Sequence, residues 1–270
     1  MSAKDIINIT CKKLGGICRR RFNPRQAAAN AFKTSRLEFY EHYRTVFHMK
    51  NLILYNYFRS STSYRARIAL ALKKLEYEYY PVHLINNGGE HHSESYRKLN
   101  PMGGLPTLVH DGKPISQTMA ILQYLDEAFP QTYALFPKDF FQKAKVIQFC
   151  ENINTDIHPV QNLKVLKYIG KNFGCNEEQK EQWVQHWISE GFHAVEKFAQ
   201  ESAGEFCFGS TVTAADIFLV PQMVTAERFH TDLTSFPTLN RIYKNCLELP
   251  EFKNAHPFRQ VDTPENLRIP

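Results

Sequence analysis

Apolar and polar positions change their period along this 270-residue chain, and the changes mark out its elements. The run LILYNYF (52–58) is nearly all apolar and short enough for a buried strand. Helical spacing follows, with Ala66, Ala69, Leu70 and Leu72 apolar and Arg65, Lys73 and Lys74 polar, which predicts a helix over 68–75. The aromatic-rich stretch 77–84 predicts a second strand, stopped by the breaker Asn86, Asn87, Gly88, Gly89. A short helix over 93–99 ends at Asn100 and Pro101, because the residue before a proline is pushed out of helical backbone. Thr107–His110 and Lys113–Ser116 flank Asp111 and Gly112, a strong hairpin signal, and Pro114 suits an edge position in the second arm. From 116 to 128 the spacing is helical again, with Ile121, Leu122, Leu125 and Ala128 on one face.

This order, β-α-β-α-β-β-α, is a βαβ half followed by a hairpin and a covering helix, the thioredoxin-like arrangement. Pro130 and Pro137 bracket a natural linker. Beyond Lys138 only helical spacing remains, at Phe141, Ala144, Ile147 and Phe149, then at Trp183, Trp187, Phe192, Val195 and Phe198. Thr213 and Asp216, ahead of an apolar run, form a capping-box pattern in which each side chain reaches the other's backbone amide. The predicted fold class is therefore α/β plus all-α. A thioredoxin-like domain is expected over 50–131 and an all-helical domain over 138–270.

Composition alters this picture mainly at the amino end. The formal charge of +6 suggests a polyanionic partner, but residues 1–49 hold ten Lys and Arg against three acids, and the rest of the chain is nearly balanced. Nothing beyond residue 50 asks for nucleic acid. No run of about 18 apolar residues is present, so no membrane partner is expected. The six cysteines (Cys11, Cys18, Cys150, Cys175, Cys207, Cys246) are scattered, without CxxC or metal-ligand spacing. Reduced thiols in the cytoplasm, and no metal, follow as expectations. The basic segment 1–49 is read as an extension or tail outside the fold, with Met49 just ahead of the first strand. Its Arg-rich, acid-poor stretch leaves a mitochondrial transit peptide as the alternative.

The richest chemistry lies in FRSSTSYRAR (58–67), a cluster of hydroxyls where the first strand gives way to the first helix. Hydroxyl donors, free backbone amides and the positive end of a helix dipole meet there, which suits an anion such as a thiolate. The plain alternative is that Ser61 or Ser63 only caps the helix.

Several separated motifs narrow the choice. YFRSSTSYRARIALALK (57–73), NPMGGLPTL (100–108), SQTMAILQYLDE (116–127), VTAADIFLVPQM (212–223), AERF (226–229) and HPFRQVDTPENLR (256–268) resemble, in order, the zeta class of soluble glutathione transferases. The class includes maleylacetoacetate isomerases, and residues 1–49 match nothing in its pattern. The resemblance implies glutathione as cofactor, a homodimer, and isomerisation of maleylacetoacetate to fumarylacetoacetate in tyrosine and phenylalanine degradation. Transfer to small α-halo acids is a further implied activity. It assigns Ser60 to the glutathione sulfur, with Ser61 beside it. Thr62 stands where the family usually carries Cys, and its hydroxyl is still a donor. Leu105 and Pro106 resemble a cis Val-Pro or Leu-Pro pair whose backbone pairs with the extended tripeptide. Gln117 and Thr118 are implied for the γ-glutamyl carboxylate, unless they merely cap their helix. His158 falls where the family places a Gln or His near glutathione. Arg228 matches an arginine facing a dicarboxylate, unless it pairs internally with Glu227 or another acid. Rival readings are an isomerase or transferase for another small acid such as maleylpyruvate, or a glutathione-binding protein without turnover.

Overall fold

The computed structural model describes residues 51–269, all within one compact unit. The readings of the basic leader, and Cys11 and Cys18 with it, lie outside the described residues. Strand β1 (Leu52–Asn56) alternates buried and half-buried positions, with Leu52 and Leu54 in the core. Helix α1 (Ser61–Leu72) returns the chain to β2 (Glu78–Pro81), which pairs parallel to β1. A short α2 (Glu94–Leu99) leads to the hairpin of β3 (Thr107–His110) and β4 (Lys113–Ser116), covered by α3 (Thr118–Ala128). The sheet order is β2-β1-β3-β4, with β3 antiparallel to both neighbours. Pro114 therefore sits on an edge strand, where a missing amide costs no interior ladder bond.

Helix α1 begins seven residues earlier than its apolar spacing predicts. It is buried on nearly every side, from Ser63 to Leu70, so no polar face sets the period. Its cap is Ser60, whose Oγ accepts from Ser63 N at 3.2 Å. The predicted caps do other work: Ser61 is the first helical residue and Ser63 Oγ accepts weakly from Tyr57 N at 3.4 Å. β1 and β2 are also shorter than predicted, since the chain turns after Asn56, with Ser60 N bonded to Tyr57 O at 3.1 Å.

The helical half comprises α4 (Phe140–Glu151), α5 (Leu163–Phe173), α6 (Glu177–Ser202), α7 (Ala214–Arg228), α8 (Pro237–Glu248) and α9 (Pro250–Ala255). In α4 the core positions are Val146, Phe149 and Cys150, whereas Phe140 and Phe141 face outward. In α6 the buried line is Val184, Ile188, Phe192, Val195 and Ala199, and Trp183 lies on its shoulder with Nε1 donating to Val160 O at 2.8 Å. The central α7 is enclosed by its neighbours and packs on α1. Its capping box is present, with Asp216 accepting from Thr213 N at 2.8 Å and Thr213 Oγ1 from Ala215 N at 3.3 Å.

The stretch read as a linker is packed. Leu135 is fully buried and Phe136 nearly so. Asp126 accepts from both of their amides and pairs with the buried Lys73 at 2.8 Å, and Lys73 also donates to Tyr133 O. Core side chains run continuously from Leu52 through α1 and α7 to Phe252. Among the described residues, no helix is long and apolar enough to cross a membrane.

Candidate active site

Register brings the site together. Tyr55 pairs with Thr107, and Thr107 with Ser116, so these three residues form one row across the sheet. The segments just beyond that row, at 57–62, 105–106 and 117–118, consequently leave the sheet at the same end.

At that end the hydroxyl run is bonded into a relay. Ser60 Oγ lies 2.8 Å from Thr62 Oγ1, and Thr62 Oγ1 donates to Leu105 O at 2.8 Å. A hydroxyl has one proton. Thr62 uses its own on Leu105, so Ser60 is the donor to Thr62 while its oxygen receives Ser63 N. Ser60, Ser61 and Thr62 are all half-buried at the positive end of α1.

The Leu105-Pro106 bond is cis. Leu105 is half-buried and its amide donates to no group among the described residues. Gln117 stands at the start of α3 with φ 72°, a left-handed conformation that a non-glycine residue adopts at a cost of about 1–3 kcal/mol. Such positions cluster at ligand sites. Its exposed side chain makes no capping bond, so the plain capping role does not apply to it and the first amides of α3 stay open. Thr118 is buried beside it.

From the helical half comes His158, directly after a π-helical segment, Asn152–Ile157, that widens the turn beyond α4. Its Nδ1 approaches Ser61 Oγ at 3.4 Å. Desolvation, then the cations Arg65, Arg228 and Lys164, push its pKa down to about 3, so the ring is neutral near neutral pH. Arg228 closes α7 with its guanidinium over the Phe229 ring at 4.6 Å. The residue is open to solvent, but desolvation of the head group and the neighbouring Arg59 hold its pKa down at about 10. No carboxylate pairs with Arg228 among the described residues, because Glu227 turns away to accept from Tyr243 OH at 2.9 Å. The internal salt bridge considered from sequence is absent among the described residues.

Two groups near this end carried no signal in the sequence. Arg65 is fully buried, bonded to Asn154 Oδ1 at 3.1 Å and stacked 4.3 Å from the Phe218 ring centroid. Arg67, also buried, donates to the carbonyls of Phe58 and Ala255 at 3.0 Å. In sequence Arg65 reads as part of the polar flank of the helix, and Arg67 carries no separate reading. A cavity of about 490 Å³ lined by Phe141, Lys145, Phe149 and Phe198 includes none of the site residues.

A thioredoxin-like sheet with a hydroxyl-capped first helix, a cis-proline loop and an all-helical partner defines the glutathione transferase class. The model of the glutathione S-transferase N-terminal domain matches residues 50–127, and that of the C-terminal domain matches 163–254. The chain belongs to the glutathione S-transferase family, and its relatives place it in the zeta class. It is 46% identical over 216 residues to maleylacetoacetate isomerase of Mus musculus, covering 80% of this chain and 97% of that protein. The holo structure of a maleyl pyruvate isomerase, titled a bacterial zeta-class glutathione S-transferase, superposes with TM-score 0.75 at 39% identity, covering 78% of this chain and all of that one. Maleylacetoacetate isomerase from Methylobacterium extorquens, crystallised with bound malonate and GSH, gives TM-score 0.74 at 31% identity, covering 78% and 99%.

Proposed function

We propose that this protein is a glutathione-dependent cis–trans isomerase whose substrate is maleylacetoacetate. The observation that carries the reading is the pairing, at one end of the sheet, of a hydroxyl-lined helix N-terminus with an arginine that has no carboxylate partner among the described residues. The residues present suit glutathione. The unbonded Leu105 amide and its carbonyl offer strand-like pairing to an extended peptide. The uncapped start of α3, with Gln117 and Thr118, suits the γ-glutamyl carboxylate. His158, neutral and near Ser61, borders the same space.

Bound glutathione supplies a thiolate that adds reversibly to the cis double bond and leaves after rotation. Ser60 holds that sulfur in its charged form. Rotation of its hydroxyl from Thr62 toward the sulfur provides a charge-assisted bond, and the α1 terminus adds favourable potential. Thr62 keeps its bond to Leu105 throughout and so braces the serine turn against the cis loop. Arg228 offers a bidentate fork to a substrate carboxylate, with Arg59 reinforcing the positive field. The zeta-class likeness further supports a homodimer in a reducing cytoplasm, in keeping with the free Cys150, Cys175, Cys207 and Cys246.

A steady-state assay with maleylacetoacetate, with and without glutathione, tests the reading. Glutathione-dependent fumarylacetoacetate formation is expected. Faster turnover of maleylpyruvate would shift the substrate assignment, and glutathione binding without turnover of either acid would sink the enzymatic reading.

A further inference from the structure

The C-terminal motif HPFRQVDTPENLR has no part in the mechanism above, yet it reaches the serine turn. Phe58 is a central residue of the tight turn closed by Ser60 N and Tyr57 O, so the plane of its peptide helps to aim Ser60. Both polar groups of Phe58 are held by side chains from outside the turn. Its amide donates to Asp262 Oδ2 at 3.0 Å, across 204 residues of sequence, and its carbonyl accepts from Arg67 Nη2 at 3.0 Å. Asp262 Oδ1 in turn accepts a short bond from Tyr79 OH of β2.

The segment carrying Asp262 is itself braced. Buried Thr263 donates from Oγ1 to Pro257 O at 2.7 Å, Arg268 Nε donates to Thr263 O at 3.0 Å, and Ile269 N donates to Phe258 O at 3.1 Å. Arg67 ties the same region to the turn, since its Nε donates to Ala255 O and its Nη1 to Asn56 Oδ1. The sign of the charge shows what Asp262 offers. Its carboxylate is among the groups that raise the pKa of nearby Tyr57, and a negative charge beside a thiolate acts the same way. Electrostatics at this position therefore oppose the chemistry, and the contribution has to be geometric.

We propose that Asp262 is a positioning residue for the glutathione-thiolate site, fixing the Phe58 peptide so that Ser60 faces the sulfur; this rests on the glutathione reading above. Misplacement of a positioned donor by even about 1 Å carries a large penalty in rate.

The test titrates the thiol of glutathione bound to the full chain by its ultraviolet thiolate absorbance. The unaltered chain is expected to lower the thiol pKa, and Asp262→Ala to raise it by about one unit toward the free value. Asp262→Asn keeps an acceptor for Phe58 N and removes the opposing charge, so it is expected to stay within about a third of a unit of the unaltered chain. In the ligand-free protein, exchange of the Phe58 amide proton is expected to quicken about tenfold in the alanine variant and not in the asparagine variant. A folded alanine variant with an unshifted thiol pKa overturns the proposal, as does an asparagine variant as impaired as the alanine one. Should the alanine variant not fold, Tyr79→Phe decides. It leaves Asp262 tethered to Phe58 alone, a rise of about half a unit is expected, and no rise overturns the proposal. If the unaltered chain itself fails to lower the thiol pKa, the glutathione reading falls and this inference falls with it.

Discussion

On the sulfur side of the site the hydroxyls of Ser60 and Thr62 are held by internal partners. Ser60 receives Ser63 N and donates to Thr62, Thr62 donates to Leu105 O, and the turn behind them is held by Arg67 and Asp262. On the acid side, Arg228 has no carboxylate among the described residues and rests on an aromatic ring beside a second guanidinium. The contrast follows from what each side is proposed to hold. A sulfur anion gains most from one donor at a fixed distance, and the braced turn holds the Ser60 oxygen in place so that only its hydroxyl proton has to rotate. A substrate carboxylate arrives from water, and an arginine already paired would have to surrender a partner to receive it. Order on one side and an unpaired charge on the other are thus complementary solutions for two anions.

The largest expected effect breaks the sulfur side. Ser60→Ala removes the proposed thiolate donor and the α1 cap together. The bound thiol's pKa is expected to rise by about two units, roughly 2.7 kcal/mol, which lowers kcat/KM at neutral pH by up to about a hundredfold. Loss of the cap costs a further ~1 kcal/mol of stability, read separately as a fall in thermal midpoint. A variant with only the lower midpoint, and normal kinetics, would reduce Ser60 to a helix cap.

Next in size is the acid side. Arg228→Ala is expected to raise KM for a dicarboxylate about tenfold while kcat stays within about twofold and the bound thiol's pKa rises far less than in Ser60→Ala, because one cation of the site's field is lost. Arg228→Lys keeps the charge but loses the fork, and an intermediate KM is expected. Equal losses of kcat and of kcat/KM in the alanine variant would show that the arginine acts in the transition state instead, and the division between the two sides would not hold.

Much of this architecture is written in local pattern, and the departures have physical causes. The hairpin, the α7 capping box and the edge proline were legible because each rests on backbone preferences of a few neighbouring residues. Helix α1 hid its start because burial on all sides erased the period, with Arg65 and Arg67 at 0% and 1% exposure where charged residues usually mark a solvated face. Ser60 as the cap, rather than Ser61 or Ser63, depends on where the backbone leaves its extended conformation, which spacing does not encode. Gln117 looked like an ordinary helix-start residue, and its φ of 72° is a backbone conformation that spacing does not encode. Arg228 looked pairable with Glu227, until Tyr243 from another helix claimed that carboxylate. The clamp on Phe58 joins residues 204 apart in sequence, out of reach of any local reading.

His158, where the two sides meet, carries the smallest effect and sharpens the comparison most. It touches the serine run through Ser61 and lies in the field of Arg228. With its pKa near 3, it holds no proton anywhere in a working pH range, so His158→Gln is expected to leave the shape of the kcat/KM pH profile unchanged above about pH 5. Stability behaves differently. The folded pKa lies below the ordinary value of 6.5, so between about pH 6.5 and about pH 3 the unfolded chain binds the proton more readily. Stability from this group is therefore present above about pH 6.5 and is lost as the pH falls toward 3. Desolvation and the neighbouring Arg67 and Arg259 lower His256 in the same direction, to about 4, and its contribution survives the substitution. Denaturant midpoints measured at about pH 7 and about pH 4.5 should accordingly differ less in His158→Gln than in the unaltered chain, without becoming equal. An unchanged difference would mean that His158 takes up its proton freely in the folded protein. Burial of the ring, the largest cause of its low pKa, would then be too weak to keep it neutral beside the serines.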